Sequence, residues 1–286
     1  MDTWQKRLVP YLFVAPNTII FSVFVLLPML FGLGFSLFDG NFTTGLSNFG
    51  LQNYGRLFQD SGFLEALLNT LWYVTGVVIL GVVISLGLAV MLRKTTVGTA
   101  LARVGFYIPV ILSPVVIGVA WRWMFGSDLG IVNALISSTG GSPIPFFTDI
   151  GWARVLVVLA SVWASVGASM VIFIGGLNTI PPDLYEAASI DGANPNLQFW
   201  RITLPLLKPT IVLVTTLSII NAFKAFEVLL VLTNGGPGTS TKLLVQKIYQ
   251  TAFDETNPTY ASAMSVVLFM ILMLLTVVQT RFSRDD

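Results

Sequence analysis

The sequence predicts an all-α membrane protein with six transmembrane helices, and three observations predict it. The first is composition: of 286 residues, 55% are apolar and only 10% charged, with a mean hydropathy of +0.82. An ordinary soluble domain carries about 25% charged residues, so too little charge is left to clothe a globule of this size in water. The second is a set of six apolar stretches near or above the ~20 residues needed to cross hydrocarbon. The third is the absence of histidine and cysteine, which removes disulfides, Ser-His and Cys-His catalysis and nearly every transition-metal site. The chain therefore reads as a non-enzyme without a metal site or bound cofactor of its own. A net charge of +1 offers nothing to draw nucleic acid.

The stretches are Tyr11–Phe38, Ala66–Leu92, Val104–Trp121, Val155–Ile180, Thr210–Thr233 and Tyr260–Thr280. Together they take up half the chain, and the connections are too short for a separate domain, so residues 1–286 are expected to form one membrane domain. The first stretch is much longer than a 7–15-residue signal core and reads as a retained helix. Pro109 and Pro114 each remove a backbone donor within the third stretch, which predicts a kink there. The fourth carries Ala160, Ala164, Ala168 and, beside them, Ser161, Ser165, Ser169. Small residues at this spacing let helices approach closely. Trp163 and Ser165 are the fourth-span candidates for contact with a solute.

Ionisable side chains in hydrocarbon cost about 2.5–3.5 kcal/mol each on insertion scales, so Lys224 and Glu227 in the fifth stretch call for a reason. At i,i+3 they are expected on one helical face, able to pair, with Asn221 one turn earlier. They read either as a structural pair or as part of a polar path. Lys and Arg placement sets orientation. With a cytoplasmic N-terminus, Lys6, Arg7, Arg93, Lys94, Arg103, Arg201, Lys208, Arg281 and Arg284 lie inside, against Arg56, Arg122, Arg154, Lys242 and Lys247 outside. Both termini are therefore expected in the cytoplasm. Trp121, Trp123, Phe125, Phe146 and Phe147 flank the outer end of the third stretch as an interfacial belt.

The segment 181–209 is then the longest inner loop. Pro181 and Pro182 stop the incoming helix, and Asp183 with Glu186 has the form of a capping box. Leu184–Asp191 reads as a short helix ended by Gly192 in the left-handed region. Asn194-Pro195 reads as a second helix start, continuing through Trp200 and Arg201 to a stop at Pro205. From the residues alone this elbow suits either lipid headgroups or a groove on a protein.

Within this loop, Glu186-Ala187-Ala188, three residues, Gly192, nine residues and Ile202-Thr203-Leu204-Pro205 resembles the EAA signature of bacterial ABC importer permeases. The string PPDLYEAASIDGANPNLQFWRITLPLLKP is similar to the carbohydrate branch, the maltose-type and glycerol-3-phosphate-type permeases. LTNGGPGTST at Leu232–Thr241 resembles the loop after the penultimate helix in the first permease of such systems.

The resemblance implies a type I ABC importer permease fold in the bacterial inner membrane, paired with a second homologous permease. It implies that Glu186, Ala187, Ala188, Asp191, Gly192, Ile202, Leu204 and Pro205 form coupling helices docked on two cytoplasmic ATPase subunits, which use ATP and Mg. An extracytoplasmic binding protein would deliver the solute to the Asn41–Leu64, third and Asn234–Thr259 loops. On the penultimate helix the path would run past Asn221, Lys224 and Glu227, with Trp163 and Ser165 of the fourth stretch as further candidates, for a sugar or sugar-like solute. The sequence holds no G-x-x-x-x-G-K-[ST] phosphate loop, so ATP, if used, binds elsewhere. The rival reading is an ion-coupled carrier that uses a Lys224–Glu227 pair.

Overall fold

A computed structural model describes residues 3–41, 45–127 and 130–282, so Arg284 and part of the Asn41–Leu64 loop lie outside the described residues. The chain opens with α1 (Thr3–Phe21), one π turn (Ser22–Leu26) and α2 (Leu27–Ser36). The π turn has a cause in Pro28. A proline inside a helix lacks its N–H and crowds the carbonyl four residues back, and widening the preceding turn, with Leu27 N–H bonded to Ser22 O, makes room for it. An antiparallel hairpin, β1 (Phe38–Asn41) and β2 (Gly45–Phe49), leads to α3 (Gln52–Leu57) and α4 (Ser61–Met91).

Two helices stand where the third span is expected. Helix α5 (Val97–Ile111) starts on a capping box made by Thr96 and Thr99 and stops at Leu112. Helix α6 (Pro114–Met124) leaves at 103° to it. The expected kink is thus a full break. A residue before proline is pushed out of the helical region, and both Leu112 (ψ 145) and Ser113 (ψ 137) are extended, which frees Pro114 to open a new helix. Then come α7 (Ile131–Ser138), α8 (Ile150–Asn178), α9 (Pro182–Ile190), α10 (Pro195–Gln198), α11 (Leu204–Leu206) and α12 (Lys208–Phe223). The chain continues with α13 (Glu227–Leu232), α14 (Leu244–Tyr249), a π turn (Gln250–Asp254) and α15 (Pro258–Phe282).

Among the described residues four helical segments, Pro10–Ser36, Ser61–Met91, Ile150–Asn178 and Pro258–Gln279, are long and apolar enough to cross a membrane. The bent pairs α5–α6 and Pro195–Leu206 with α12 bring the number to six if each is one span. The expected fifth span, Thr210–Thr233, is interrupted: α12 ends at Phe223 and α13 begins at Glu227.

Contacts group the chain into two compact units, Met1–Leu64 with Lys247–Met270 and Glu65–Gln246 with Ile271–Asp286. The core of the second runs along α8, whose Leu156, Val157, Ala160, Met170, Phe173 and Leu177 are buried. Glycines set its closest approaches. A Cβ on Gly167 of α8 would collide with the Phe106 carbonyl of α5, and one on Gly176 with the Thr210 side chain of α12. One on Gly118 of α6 would come within 2.9 Å of Val231 Cβ in α13. In the first unit Asn53, buried, donates to Phe38 O at 2.8 Å, and Thr259 Oγ1 donates to Gly40 O at 2.5 Å, tying the hairpin to α3 and α15.

Candidate functional site

The bend of the 181–209 loop is built from local signals that the sequence carries. Gly192 has φ +81, with no atom within 4 Å of where a Cβ would stand. Around it, Ala193 N–H donates to Ala188 O at 2.8 Å and Gly192 N–H to Ser189 O at 3.1 Å. These two bonds are the Schellman closure of a helix C-terminus. Asn194 Oδ1 then accepts from Leu197 N–H at 2.8 Å, capping α10 with Pro195 at its first position. Gln198 Nε2 reaches back to Ser189 Oγ (2.9 Å) and Ala193 O (3.0 Å), so one amide holds the bend from inside.

Two details of the loop differ from expectation. Asp183 and Glu186 form no capping box, because Pro181 is the N-cap and Pro182 opens the helix two residues early. A proline ring is pre-set for that first position, so Asp183 sits in the first turn, where the helix dipole favours an acid. Pro205 does not stop the second helix either. A π turn at Phe199–Thr203, closed by Leu204 N–H on Phe199 O, accommodates it as the turn before Pro28 does, and the bend of 67° falls after Leu206.

The elbow is fixed to the membrane helices on one side and bare on the other. Tyr185 and Thr203 hydroxyls meet at 3.0 Å, the Arg93 guanidinium lies 5.3 Å from the Tyr185 ring, and Leu207 and Ile180 are buried with Met170, Phe173 and Leu177. On the outward side Ile190 is 87% exposed, and Leu184, Leu197 and Trp200 are exposed as well. Of the residues expected to couple, Glu186, Ala187, Asp191, Gly192 and Pro205 are exposed and Ala188, Ile202 and Leu204 half-buried.

Asn221, Lys224 and Glu227 are all exposed on this chain, but Lys224 and Glu227 do not share a helical face. Lys224 caps α12, and Phe226 (φ −143, ψ −63) turns the chain before α13 starts. Among the described residues the ion pair is Lys247–Glu255 instead, at 2.8 Å. No proline or glycine marks this break. Beyond it α13 packs on α6 across Gly118, a tertiary contact that helical periodicity cannot register. Trp163 and Ser165 are exposed too, with Ser165 Oγ donating to its own backbone at Ser161 O, 2.9 Å away.

Sequence reasoning did not find what Trp163 touches. Its ring lies 6.0 Å from Trp121, which stacks on Phe125 at 5.0 Å, and the row continues through Phe146 to Trp152. The i,i+4 spacing of Trp121 and Phe125 was the available signal. The serine and alanine ladder of α8 mainly serves packing: Ala160 is buried, and Ser161 Oγ accepts a 2.7 Å bond from buried Tyr73.

At the Ile150 end of α8 a polar bracket holds the Gly235–Gly238 turn, in which Gly235 and Gly238 have positive φ. Asn69 Nδ2 donates to Thr239 O at 2.9 Å, and Arg154 donates to Ser240 O (3.2 Å) and Asn69 Oδ1 (3.0 Å). Leu244 N–H donates to Thr70 Oγ1 at 2.8 Å, and the Thr239 hydroxyl donates to Glu65. In the first unit Tyr260 OH donates to Asp60 Oδ2 at 2.7 Å, with the Arg56 guanidinium 4.3 Å from the Tyr260 ring centre. Burial pulls the Asp60 carboxyl upward, but the Tyr260 hydroxyl, the Phe63 N–H, Lys247 and the Gly62 N–H outweigh it and hold it below its usual 3.8.

This arrangement, broken apolar helices with an outward elbow, matches a family across most of the chain. Residues 81–285 fit the family described as binding-protein-dependent transport system inner membrane component. The chain belongs to that family. The permease is 34% identical to the sulfoquinovosyl glycerol transport system permease protein SmoG of Agrobacterium fabrum, over 97% of this chain and 91% of that one. It is 34% identical to the sn-glycerol-3-phosphate transport system permease protein UgpA of Escherichia coli, over 98% and 95%. With YurN of Bacillus subtilis, a probable ABC transporter permease, identity is 32% over 97% of both. In structure it resembles a chain of a bacterial ABC transporter that imports the acidic polysaccharide alginate, with TM-score 0.86 at 23% identity over 98% and 97% of the two chains. That importer has also been solved with an alginate pentasaccharide-bound periplasmic protein. The likeness shows the same permease fold.

Proposed function

We propose that this permease forms, with a second homologous permease, the membrane path for a sugar or sugar-like solute that an extracytoplasmic binding protein delivers. Two cytoplasmic ATPase subunits grip the 181–209 elbow and use ATP, with Mg bound to it, to close, and the elbow passes that motion to α8 and α12. The observation that carries the reading is the elbow itself. Its bend is fixed by a positive-φ glycine and five hydrogen bonds, its base is buried among α8 residues, and its apolar tip is uncovered. A rigid lever with a bare apolar end is what a groove on another protein requires, and a headgroup-bound hairpin has no need of the rigidity.

Both termini lie in the cytoplasm in this reading, and residues 1–286 act as one transport domain. Solute hydroxyls are met by the Asn221 amide and by Lys224 and Glu227, with Trp163 as a face for a sugar ring and Ser165 beside it. Relatives named for sn-glycerol-3-phosphate and for sulfoquinovosyl glycerol support the solute class. The ion-coupled carrier loses its premise, since Lys224 and Glu227 are not paired. The test is uptake into right-side-out vesicles holding the assembled transporter, with the binding protein outside and ATP trapped inside. Uptake that needs ATP and the ATPase, and that survives an uncoupler, supports the proposal; uptake that an uncoupler abolishes and ATP does not affect contradicts it.

A further inference from the structure

The second unit carries a groove of about 500 Å³ between α4 and α8 that plays no part in the reading above. Its walls are Leu71, Trp72, Thr75 and Leu80 from α4 and Val155 and Leu159 from α8. Gly76 forms its floor and lets the two helices close there: a Cβ would stand 3.2 Å from Val158 Cγ2. From Leu71 to Leu80 the groove runs nine residues along a helix, or about 14 Å at 1.5 Å per residue. That is close to the ~15 Å of hydrocarbon in one leaflet of a ~30 Å core.

One cation stands at its mouth. The Arg154 guanidinium lies 5.4 Å from the centre of the Trp72 ring, next in sequence to the wall residue Val155. Its bonds go to neutral acceptors, Ser240 O and Asn69 Oδ1, and among the described residues no carboxylate lies within the 4 Å of an ion pair. It is half-buried. A guanidinium is suited to bidentate contact with phosphate, and Arg154 stands directly before the fourth apolar stretch, which starts at Val155.

We propose that this groove binds a phospholipid, one acyl chain lying between α4 and α8 and its phosphate on Arg154. Depth and charge agree on this occupant. A transmembrane helix of a partner would fill the trough but leave the cation without a counter-charge, and a fatty acyl chain alone would do the same. Because Arg154 also holds the Ser240 carbonyl, the lipid phosphate and the Gly235–Gly238 turn share one anchor.

The test is photo-cross-linking in the assembled transporter, held in nanodiscs of phosphatidylethanolamine and phosphatidylglycerol. The probe is phosphatidylglycerol with a diazirine at the end of one acyl chain, compared with a diacylglycerol that carries the same diazirine. Labelling is expected to concentrate on residues 71–80 and 155–159 over the uncovered face of α2. Removing the charge with Arg154→Gln should weaken it about tenfold, the loss of one charge-assisted contact. Thr75→Phe, which fills the trough and leaves Arg154 in place, should remove groove labelling while the α2 background persists. Labelling no higher in the groove than on α2, or equal labelling by the diacylglycerol probe, overturns the proposal. So does a groove labelled in the isolated permease and protected in the assembled transporter, since a protein partner then covers it.

Discussion

Gly192 offers the sharpest perturbation, because its geometry separates a torsional effect from a packing effect. With no atom within 4 Å of the Cβ position, an alanine there meets nothing. The cost is backbone strain alone, about 1–2 kcal/mol for a side chain in the left-handed region. Both bonds of the turn, Ala193 to Ala188 and Gly192 to Ser189, survive in Gly192→Ala, so the bent elbow should lose a factor of about 5–30 against unbent states. Asparagine tolerates this region better than other residues, and Gly192→Asn should transport close to the parent. Gly192→Pro removes the N–H that reaches Ser189 and forces φ to about −65° against the observed +81, so the elbow cannot form. The assay is solute uptake by cells at matched membrane levels, with ATPase co-purification as a second readout. Activity should fall in the order Gly, Asn, Ala, Pro. Normal uptake by Gly192→Pro would refute the coupling role, and an Asn variant as inactive as the Pro variant would refute the torsional argument.

Other expectations follow from the same reasoning. Ile190→Asp places a charge on the most exposed apolar side chain of the elbow; the purified permease should retain less ATPase while inserting normally, as membrane fractionation would show. Asn221→Ala should change the half-saturating solute concentration and leave assembly intact, and unchanged uptake kinetics would remove Asn221 from the path. Gly167→Ala drives a methyl into the Phe106 carbonyl, whereas Gly175→Ala finds open space. Thermal unfolding in detergent should separate the two by the 1–3 kcal/mol typical of overpacking. Asp60 is held below its usual 3.8, so its charged form stabilises the fold above that pH, and the gain is lost as pH falls through the lower, folded value. Tyr260→Phe should shrink this acid-dependent loss in unfolding midpoints, and an unchanged pH profile would dismiss the Asp60–Tyr260 bond as its source.

What the sequence made legible was local. The Gly192 stop and the Asn194-Pro195 start were readable because each needs only the residues on either side, and both stand where the pattern puts them. The long apolar helices were readable for the same reason, apart from their ends. Two errors were local, the Asp183–Glu186 capping box and the stop at Pro205, each overridden by a proline that the helix accommodates; the larger ones arose where a neighbour in space decides. The third span breaks because Ser113 precedes Pro114, a rule that bends or breaks a helix according to what receives the second half. The fifth breaks after Phe223 with no breaker residue at all, and beyond it α13 settles on α6 at Gly118. The Lys224–Glu227 pairing assumed an unbroken helix and failed with it. The aromatic row from Trp163 to Trp152 and the Asn69–Arg154 bracket join residues distant in sequence, and no spacing rule reaches across such gaps.

The most direct measurement is site-specific cross-linking from position 190 of the full-length permease in native membranes. A photoreactive residue in place of Ile190 should join the permease to a cytoplasmic nucleotide-binding subunit, with a yield that changes when ATP is trapped. Cross-links confined to lipid, indifferent to nucleotide, would contradict the lever.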